Sequence, residues 1–572
     1  MAFLFVALTA TAIVAPMFFL GNASGHDFQF HVGSWLDVSG QWREGIIFPR
    51  WAEWANWGFG EPRFIFYPPA SWMLGAALGF VLPWALVPGA FIWLSLVTGG
   101  MGMWRLARER LPDTQAVAAA VFFAANPYHL VIVYYRSDFA ELLASVFLPL
   151  LVLGALRVAR DGWRRVPMLA IIFAGIWLSN APAAVIATYS LSLLIAVGCI
   201  LRRSLRPFAA GGAAMAAGFG LAAFYILPAA WEQRWVQIAQ VLATNLCPQQ
   251  NFLYTNAPDP EFVFFNWKVS TVAMIVLLLG GVATVFAARR RKELPDTWWM
   301  FLALGAASVL LMFPPSVLLW RLLPKLQFVQ FPWRWLEPLS VVLAFFAAAA
   351  SGCIGKTRRA QWVAWLVILV VVGAAGVAMV NDAWWDSEDI PSLVKSVQTG
   401  HGYEGTDEYT PISCDRYKLS GSGTDPDDVL GQSPSGTFDP SATPPPTPRI
   451  AKYDADSDSV VPAAGLRVHV RQWSAEQKVF SVDSPAPVTL AVRLVYYPAW
   501  EVRVDGATAR ADSLPETAQM LMPLSQGAHD VEMRFRRTWD RSLGAAISLC
   551  SALALFALPF FLRRSNCSSK LP

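Results

Sequence analysis

At 572 residues, with 55 % hydrophobic and 15 % charged side chains, the chain carries too much apolar surface and too few charges for a soluble globular protein. Its formal net charge of +4 is not a nucleic-acid signature, because Lys and Arg stand in short clusters between apolar runs rather than on one basic face. An integral membrane protein remains, and those clusters report its topology.

A spanning helix needs about 20 apolar residues, and its cytoplasmic flank is enriched in Lys and Arg. Residues 2–20 lack a basic leading region and a good small-residue site near Ala23, so they read as a retained first helix rather than a signal peptide. A polar, aromatic-rich loop follows at 21–69, holding Asp27, His31, Asp37, Glu44, Glu53 and Glu61 among Trp and Phe. The apolar region after it is broken by Pro83 and Pro88. The economical reading lays 70–84 in the outer interface and lets 88–104 cross inward to Arg105, Arg108 and Arg110. Further spans are expected near 114–133, 141–156, 167–180, 182–201, 207–228, 269–288, 297–313, 337–355, 361–380 and 543–562. That makes about twelve spans, with both termini inside and every basic cluster on the same side.

The character changes at 381–542. Residues 420–449, rich in Ser, Gly, Asp and Pro, read as a loop or linker without a core. From 450 to 542, runs such as Leu466–Val470, Val479–Val482, Val488–Tyr497, Trp500–Val504 and Val531–Phe535 alternate apolar and polar residues between turns such as Asp505-Gly506, which predicts a small external β-sandwich. The expected organisation is a transmembrane module over 1–380, an external domain over 381–542, and a last span with a basic tail over 543–572. Cys247 and Cys414 fall in segments placed outside. If that side is oxidising they could pair, but no spacing motif requires it.

The expected spans hold almost no charge at their middles, where an ion-coupled transporter would place it. Instead Asp27, Asp138, Glu141, Glu232, Glu337, Asp382 and Asp386 sit near the outer boundary, with Arg136, Arg234, Arg321, Lys325 and Arg334 among them. Three stretches could carry chemistry there. In Gly25–His31, Asp27 can accept a proton from an attacking hydroxyl, its pKa raised by burial against Phe28 and Phe30; it could equally cap the helix that follows. His31, one turn on, could assist or join a metal site, or be structural. In Tyr134–Glu141, Arg136 could pair with a phosphate and Asp138 and Glu141 could supply further carboxylates, or all three could fix the turn internally. In Gln327–Glu337, Arg334 between Trp333 and Trp335 could hold a phosphate in a fork while the indoles stack on a sugar or lie in the headgroup belt. Glu404, Asp407 and Glu408 could coordinate a divalent cation or form a solvated loop.

One helix, a long external loop with an early acid, an interfacial helix, many further spans and an external C-terminal domain together resemble the GT-C superfamily of membrane glycosyltransferases. Phe48-Pro49-Arg50-Trp51, Gly58-Phe59-Gly60, Phe66-Tyr67-Pro68-Pro69, Phe331-Pro332-Trp333-Arg334, and Tyr496-Tyr497-Pro498-Ala499-Trp500 with Val504-Asp505-Gly506 are similar to bacterial YfhO-like proteins and to the related group named after pyruvoyl-tetrahydropterin synthase. That group name suggests a pterin enzyme, yet the chain lacks the soluble, metal-binding make-up such an enzyme needs. The resemblance implies inverting transfer from a polyprenyl-phosphate sugar to a lipid or cell-envelope glycan acceptor on the outer face of a bacterial cytoplasmic membrane, with Asp27 as general base. Many relatives carry two adjacent acids at this place, whereas here His26 precedes Asp27. No cofactor is expected to be obligatory, though a divalent cation has room. The competing reading is a non-catalytic lipid or glycan flippase or envelope-assembly factor.

Overall fold

The computed structural model describes residues 1–352, 370, 372–419 and 447–568. Residues 420–446 of the expected linker at 420–449 and half of the expected span at 361–380 lie outside the described residues.

Eight helices among the described residues are long and apolar enough to cross a membrane: Ala2–Leu20, Trp84–Ala107, Asp113–Arg136, Phe139–Trp177, Ala181–Arg202, Pro260–Arg290, Pro332–Ser351 and Trp539–Leu558. Two bent pairs, Arg206–Leu221 with Ala223–Trp235 (71°) and Pro295–Leu311 with Pro314–Leu322 (95°), bring the number to ten if each is one span. The described residues thus hold about eight to ten candidate spans, and half of a further expected one, 361–380, lies outside them. The spans expected at 141–156 and 167–180 fall in one 39-residue helical stretch, in which the helix Leu148–Asp161 ends at Gly162 (φ +62°) and a second helix, Val166–Trp177, follows after the turn Gly162–Arg165. The helix Pro69–Val81 has only 13 residues and rises about 20 Å, too short for a bilayer core of about 30 Å.

Residues 450–535 form two five-stranded sheets. One has Asp512–Ser513, Gln519–Leu524, Val488–Val495, Ile450–Asp454 and Ser459–Val461 in that order; the other has Arg467–Ser474, Gln477–Ser484, Gly527–Phe535, Trp500–Val504 and Ala507–Ala509. Gln477–Ser484 buries alternate residues, the pattern that makes such a strand legible. Gln519–Leu524 escapes that pattern because it is buried almost throughout.

The loop at 21–69 is the joint between these parts. Its first half, with Phe28, Val32 and Trp35, packs in the core of the helical bundle, while Trp51, Phe59, Ile65 and Phe66 enter the core of the β domain. Trp51 lies 5.5 Å from Trp500 and 5.4 Å from Phe535, ring to ring. Each fully buried large apolar side chain contributes about 1.5–3 kcal/mol, so these rings hold the two parts together. Gly60 has φ +78°, and a Cβ there would stand 2.1 Å from the Trp51 indole nitrogen, so no larger residue fits. The joint is also ionic: Lys478 Nζ donates to Glu53 at 2.8 Å with both side chains buried. Asn22–Ala23 further pairs antiparallel with Trp385–Asp386.

Asp37 ties the loop to the segment at 401–410. Its carboxylate accepts bonds from Gln41 Nε2 (2.8 Å), the Trp54 backbone N–H (3.0 Å) and the Tyr403 hydroxyl (3.0 Å). Burial pushes its pKa up to about 7 against these donors, and burial does the same to Glu408, also to about 7. An unfolded carboxyl titrates near about 4, so between about pH 4 and about pH 7 the folded protein binds the extra protons and loses stability as pH rises. The thermal midpoint of the purified protein is expected to fall across that window. Asp37→Asn should shrink the slope and Asp37→Asn with Glu408→Gln should shrink it further; an unchanged slope in the double variant would contradict the assignment.

Candidate functional site

Asp27 precedes the helix Phe28–Arg43, yet its carboxylate makes no capping hydrogen bond. It turns instead toward a segment 109 residues away: Arg136 Nη2 donates to Asp27 Oδ2 at 2.8 Å, and the Asp27 backbone N–H donates to the Arg136 carbonyl at 2.8 Å. The approach is close because Gly25 has no side chain; a Cβ there would stand 2.5 Å from the Tyr135 carbonyl oxygen. Ser137, at φ +53°, accepts the Gly25 N–H (3.0 Å) and donates to the Ala23 carbonyl (2.6 Å), which pins the two turns together. Arg136 closes a π-helical turn, Ile132–Arg136, an irregularity that recurs at functional sites.

Around this pair the ends of three candidate spans bring together one ionic cluster. Arg136 reaches Asp138 at 3.1 Å and Glu141 through its other amino group. Arg334 donates from Nε to Glu141 at 3.0 Å, from Nη2 to Asp138 at 3.3 Å and from Nη1 to the Val329 carbonyl at 3.0 Å. The Tyr128 hydroxyl also donates to Glu141. His31 Nε2 lies 3.6 Å from Asp138 Oδ1, among the rings of Phe30, Tyr67 and Phe139. Burial alone would raise the Asp138 pKa, but Arg136, His31 and Arg334 hold its carboxyl well below the usual range. Glu337 is fully buried, and neither of its carboxyl oxygens has a hydrogen-bond partner among the described residues.

Exposure separates these groups by what they can do. The side chains of Arg136, Asp138, Glu141 and Arg334 are all 5 % exposed or less, whereas that of Asp27 is 36 % exposed. Asp27 alone in this ion-paired set can meet a solute without unpacking the fold.

Several expectations need correction. Asp27 is not buried against Phe28 and Phe30; it is fixed by a guanidinium and faces outward. Arg334 does not present a fork to a phosphate, because its donors are taken by Glu141, Asp138 and Val329. Trp333 and Trp335 do not offer their faces to a sugar or headgroup, since each is 1 % exposed; Trp333 stacks on Phe331 at 4.8 Å. Arg136, Asp138 and Glu141 form an internal ion-pair network rather than open ligands. The acids at 404–408 do not gather around a cation site: Arg416 takes both Glu404 and Asp407. Glu232 stands apart from the cluster, paired with Arg541 at 2.8 Å. Of the two alternatives open for Cys247 and Cys414, the structure has the free thiols.

Among the described residues no group of three or more His, Cys, Asp or Glu is arranged to hold a metal ion. At the cluster the reason is visible: guanidinium groups stand where a cation would bridge the carboxylates. Two nearby residues escaped the sequence reading. Tyr128 was hidden inside an expected span, although Asn126-Pro127 before it is a helix-start signal, and the Asn126 side chain does accept the Tyr128 N–H at 2.8 Å. Lys268 stood one residue before the expected span at 269–288, but the helix begins at Pro260 and carries it within its outer turns.

A family model described as a 6-pyruvoyl-tetrahydropterin synthase related domain, membrane protein, matches residues 64–385. An uncharacterized protein of Lactococcus lactis subsp. cremoris is 24 % identical over 240 residues, a match covering 40 % of this chain and 39 % of that protein. Among solved structures, the Archaeoglobus fulgidus oligosaccharyltransferase in its apo form is 12 % identical at a TM-score of 0.41, over 67 % of this chain and 56 % of that one. The Archaeoglobus fulgidus enzyme in complex with an inhibitory peptide and a dolichol-phosphate is 10 % identical at a TM-score of 0.40, over 71 % and 56 %. The matches thus span between about two fifths and somewhat over half of these relatives' own length.

Proposed function

Because the chain belongs to the 6-pyruvoyl-tetrahydropterin synthase related membrane proteins, and the sole partly exposed carboxylate of its ion-paired cluster is Asp27, we propose that it is a GT-C-type glycosyltransferase with Asp27 as general base. The donor is a polyprenyl-phosphate sugar and the acceptor a hydroxyl of a lipid or envelope glycan, met on the outer face of the bacterial cytoplasmic membrane. In this orientation both termini are cytoplasmic and the β domain is external.

The observation that carries the reading is the state of Asp27. Its carboxylate is held through Oδ2 by one bond from Arg136, makes no capping bond, and belongs to a side chain that is 36 % exposed. In the proposed step Oδ1 takes the proton of the acceptor hydroxyl as its oxygen attacks the anomeric carbon. The bond from that carbon to the phosphate oxygen breaks, and its electron pair leaves with the lipid monophosphate. Arg136 fixes the carboxylate's direction, and the buried Asp138, Glu141 and Arg334 fix Arg136 in turn. Transfer is proposed to need no metal, since guanidinium groups already pair with Asp27, Asp138 and Glu141.

The test supplies protein in lipid nanodiscs with a panel of labelled polyprenyl-phosphate sugars and envelope membranes as acceptor, with and without chelator. Label is expected to leave at least one donor, with or without chelator. No release from any donor would favour the flippase or assembly role; release only without chelator would overturn the metal-free step.

A further inference from the structure

The cluster that holds Asp27 is poorly suited to receive the donor's phosphate. It sets three ion-paired carboxylates, Asp27, Asp138 and Glu141, against two guanidiniums whose donors they already take. A leaving phosphate needs a cation from elsewhere.

One lies beside it. The outer end of the helix Pro260–Ala287 packs Phe265 on His26 (4.7 Å) and near Trp333 (6.2 Å), and Arg136 in turn lies over Trp333 at 5.2 Å. Lys268 stands one turn on from Phe265 and places its ammonium 5.4 Å from the centre of the Tyr135 ring, next in sequence to Arg136. Lys268 also borders an open surface groove of about 730 Å³, lined with it by Ala257, Val263, Phe264 and Trp267, and its ammonium lies 4.3 Å over the Phe264 ring. Phe264 is 63 % and Trp267 48 % exposed, so the groove opens to the surroundings of the bundle rather than to its core. The partner of Lys268 is Asp382 at 2.5 Å, whose side chain is 46 % exposed. An ion pair this open contributes little and gives way to a stronger anion.

We infer that this groove is the lateral port for the polyisoprenyl phosphate: Lys268 takes the phosphate and the apolar lining takes the first part of the chain. A largely apolar surface groove bordered by one ammonium complements a ligand that is a hydrocarbon ending in one phosphate. The assignment rests on the proposed function, because it is the port's nearness to Asp27 that gives it a purpose. Occupied in this way, the groove delivers the sugar's phosphate bond beside Arg136 and Asp27 without crossing the anion-rich cluster.

The test measures binding without turnover, so a failure of glycosyl transfer leaves it standing. A fluorescent polyisoprenyl monophosphate carrying no sugar is titrated onto the full-length protein in phosphatidylcholine nanodiscs. Wild type is expected to bind saturably, Lys268→Glu about tenfold or more weakly, and Lys268→Arg nearly as well as wild type. Val263→Trp, which fills the trough but keeps the charge, should also weaken binding. The corresponding free alcohol should bind weakly and be indifferent to Lys268→Glu. Folding of each variant is checked by its thermal midpoint. Equal binding by wild type, Lys268→Glu and Val263→Trp would overturn the inference, as would the absence of saturable binding to wild type. Displacement of the probe by phosphatidylglycerol at equal concentration would also overturn it, by making the groove a general headgroup site.

Discussion

Arg136→Met is expected to destabilise the purified protein by about 3–5 kcal/mol, read as a large drop in its thermal midpoint. The side chain is buried and serves three carboxylates, Asp27, Asp138 and Glu141. Methionine replaces its length but not its charge, so Glu141 and Asp138 would rely on Arg334 alone inside a region of low dielectric. The cost is therefore mainly that of stranded carboxylates, and it has a checkable corollary. Adding Glu141→Gln to Arg136→Met should recover part of the loss, because one uncompensated charge is removed together with its partner. Arg136→Lys should fall between wild type and Arg136→Met, since an ammonium keeps the charge but cannot fork between Asp27 and Glu141. A midpoint for Arg136→Met within experimental error of wild type would show that the ion-pair network contributes nothing to the fold.

Much of this architecture is legible from residue order because it follows from composition and period. Apolar runs closed by Arg clusters give helices long enough to cross a bilayer, and alternating runs such as Gln477–Ser484 give the strands of the β domain. Where two faces are buried the alternation vanishes, as in Gln519–Leu524. The three stretches that carry the cluster, Gly25–His31, Tyr134–Glu141 and Gln327–Glu337, can be picked out by their polar residues at apolar boundaries. What a sequence does not contain is which way a charge points. Arg334 between two tryptophans reads as an exposed phosphate clamp, yet it is turned inward because Asp138 and Glu141, nearly 200 residues earlier, need its donors. Trp333 and Trp335 follow it into the interior. The acids of the first loop look alike in sequence, but Asp37, Glu53 and Glu61 are buried with partners at Tyr403, Lys478 and Arg63. Only long-range packing sorts these structural carboxylates from Asp27.

That sorting makes Asp27→Asn the decisive variant. Asparagine keeps the shape, and its carbonyl oxygen can still accept from Arg136 Nη2, so the turn at Gly25 and the helix Phe28–Arg43 should remain as they are. The substitution removes one thing, the capacity to take a proton from the acceptor hydroxyl. Positioned general bases contribute about 10²–10⁴-fold to rate. The measurement is single-turnover release of polyprenyl phosphate from a labelled donor by wild type and Asp27→Asn in nanodiscs, at matched donor occupancy and with thermal midpoints compared. A rate lower by about 10²-fold or more, with unchanged midpoint and donor binding, is the predicted result. Equal rates in the two proteins would contradict Asp27 as the base and, with it, the account of why this one carboxylate is left open.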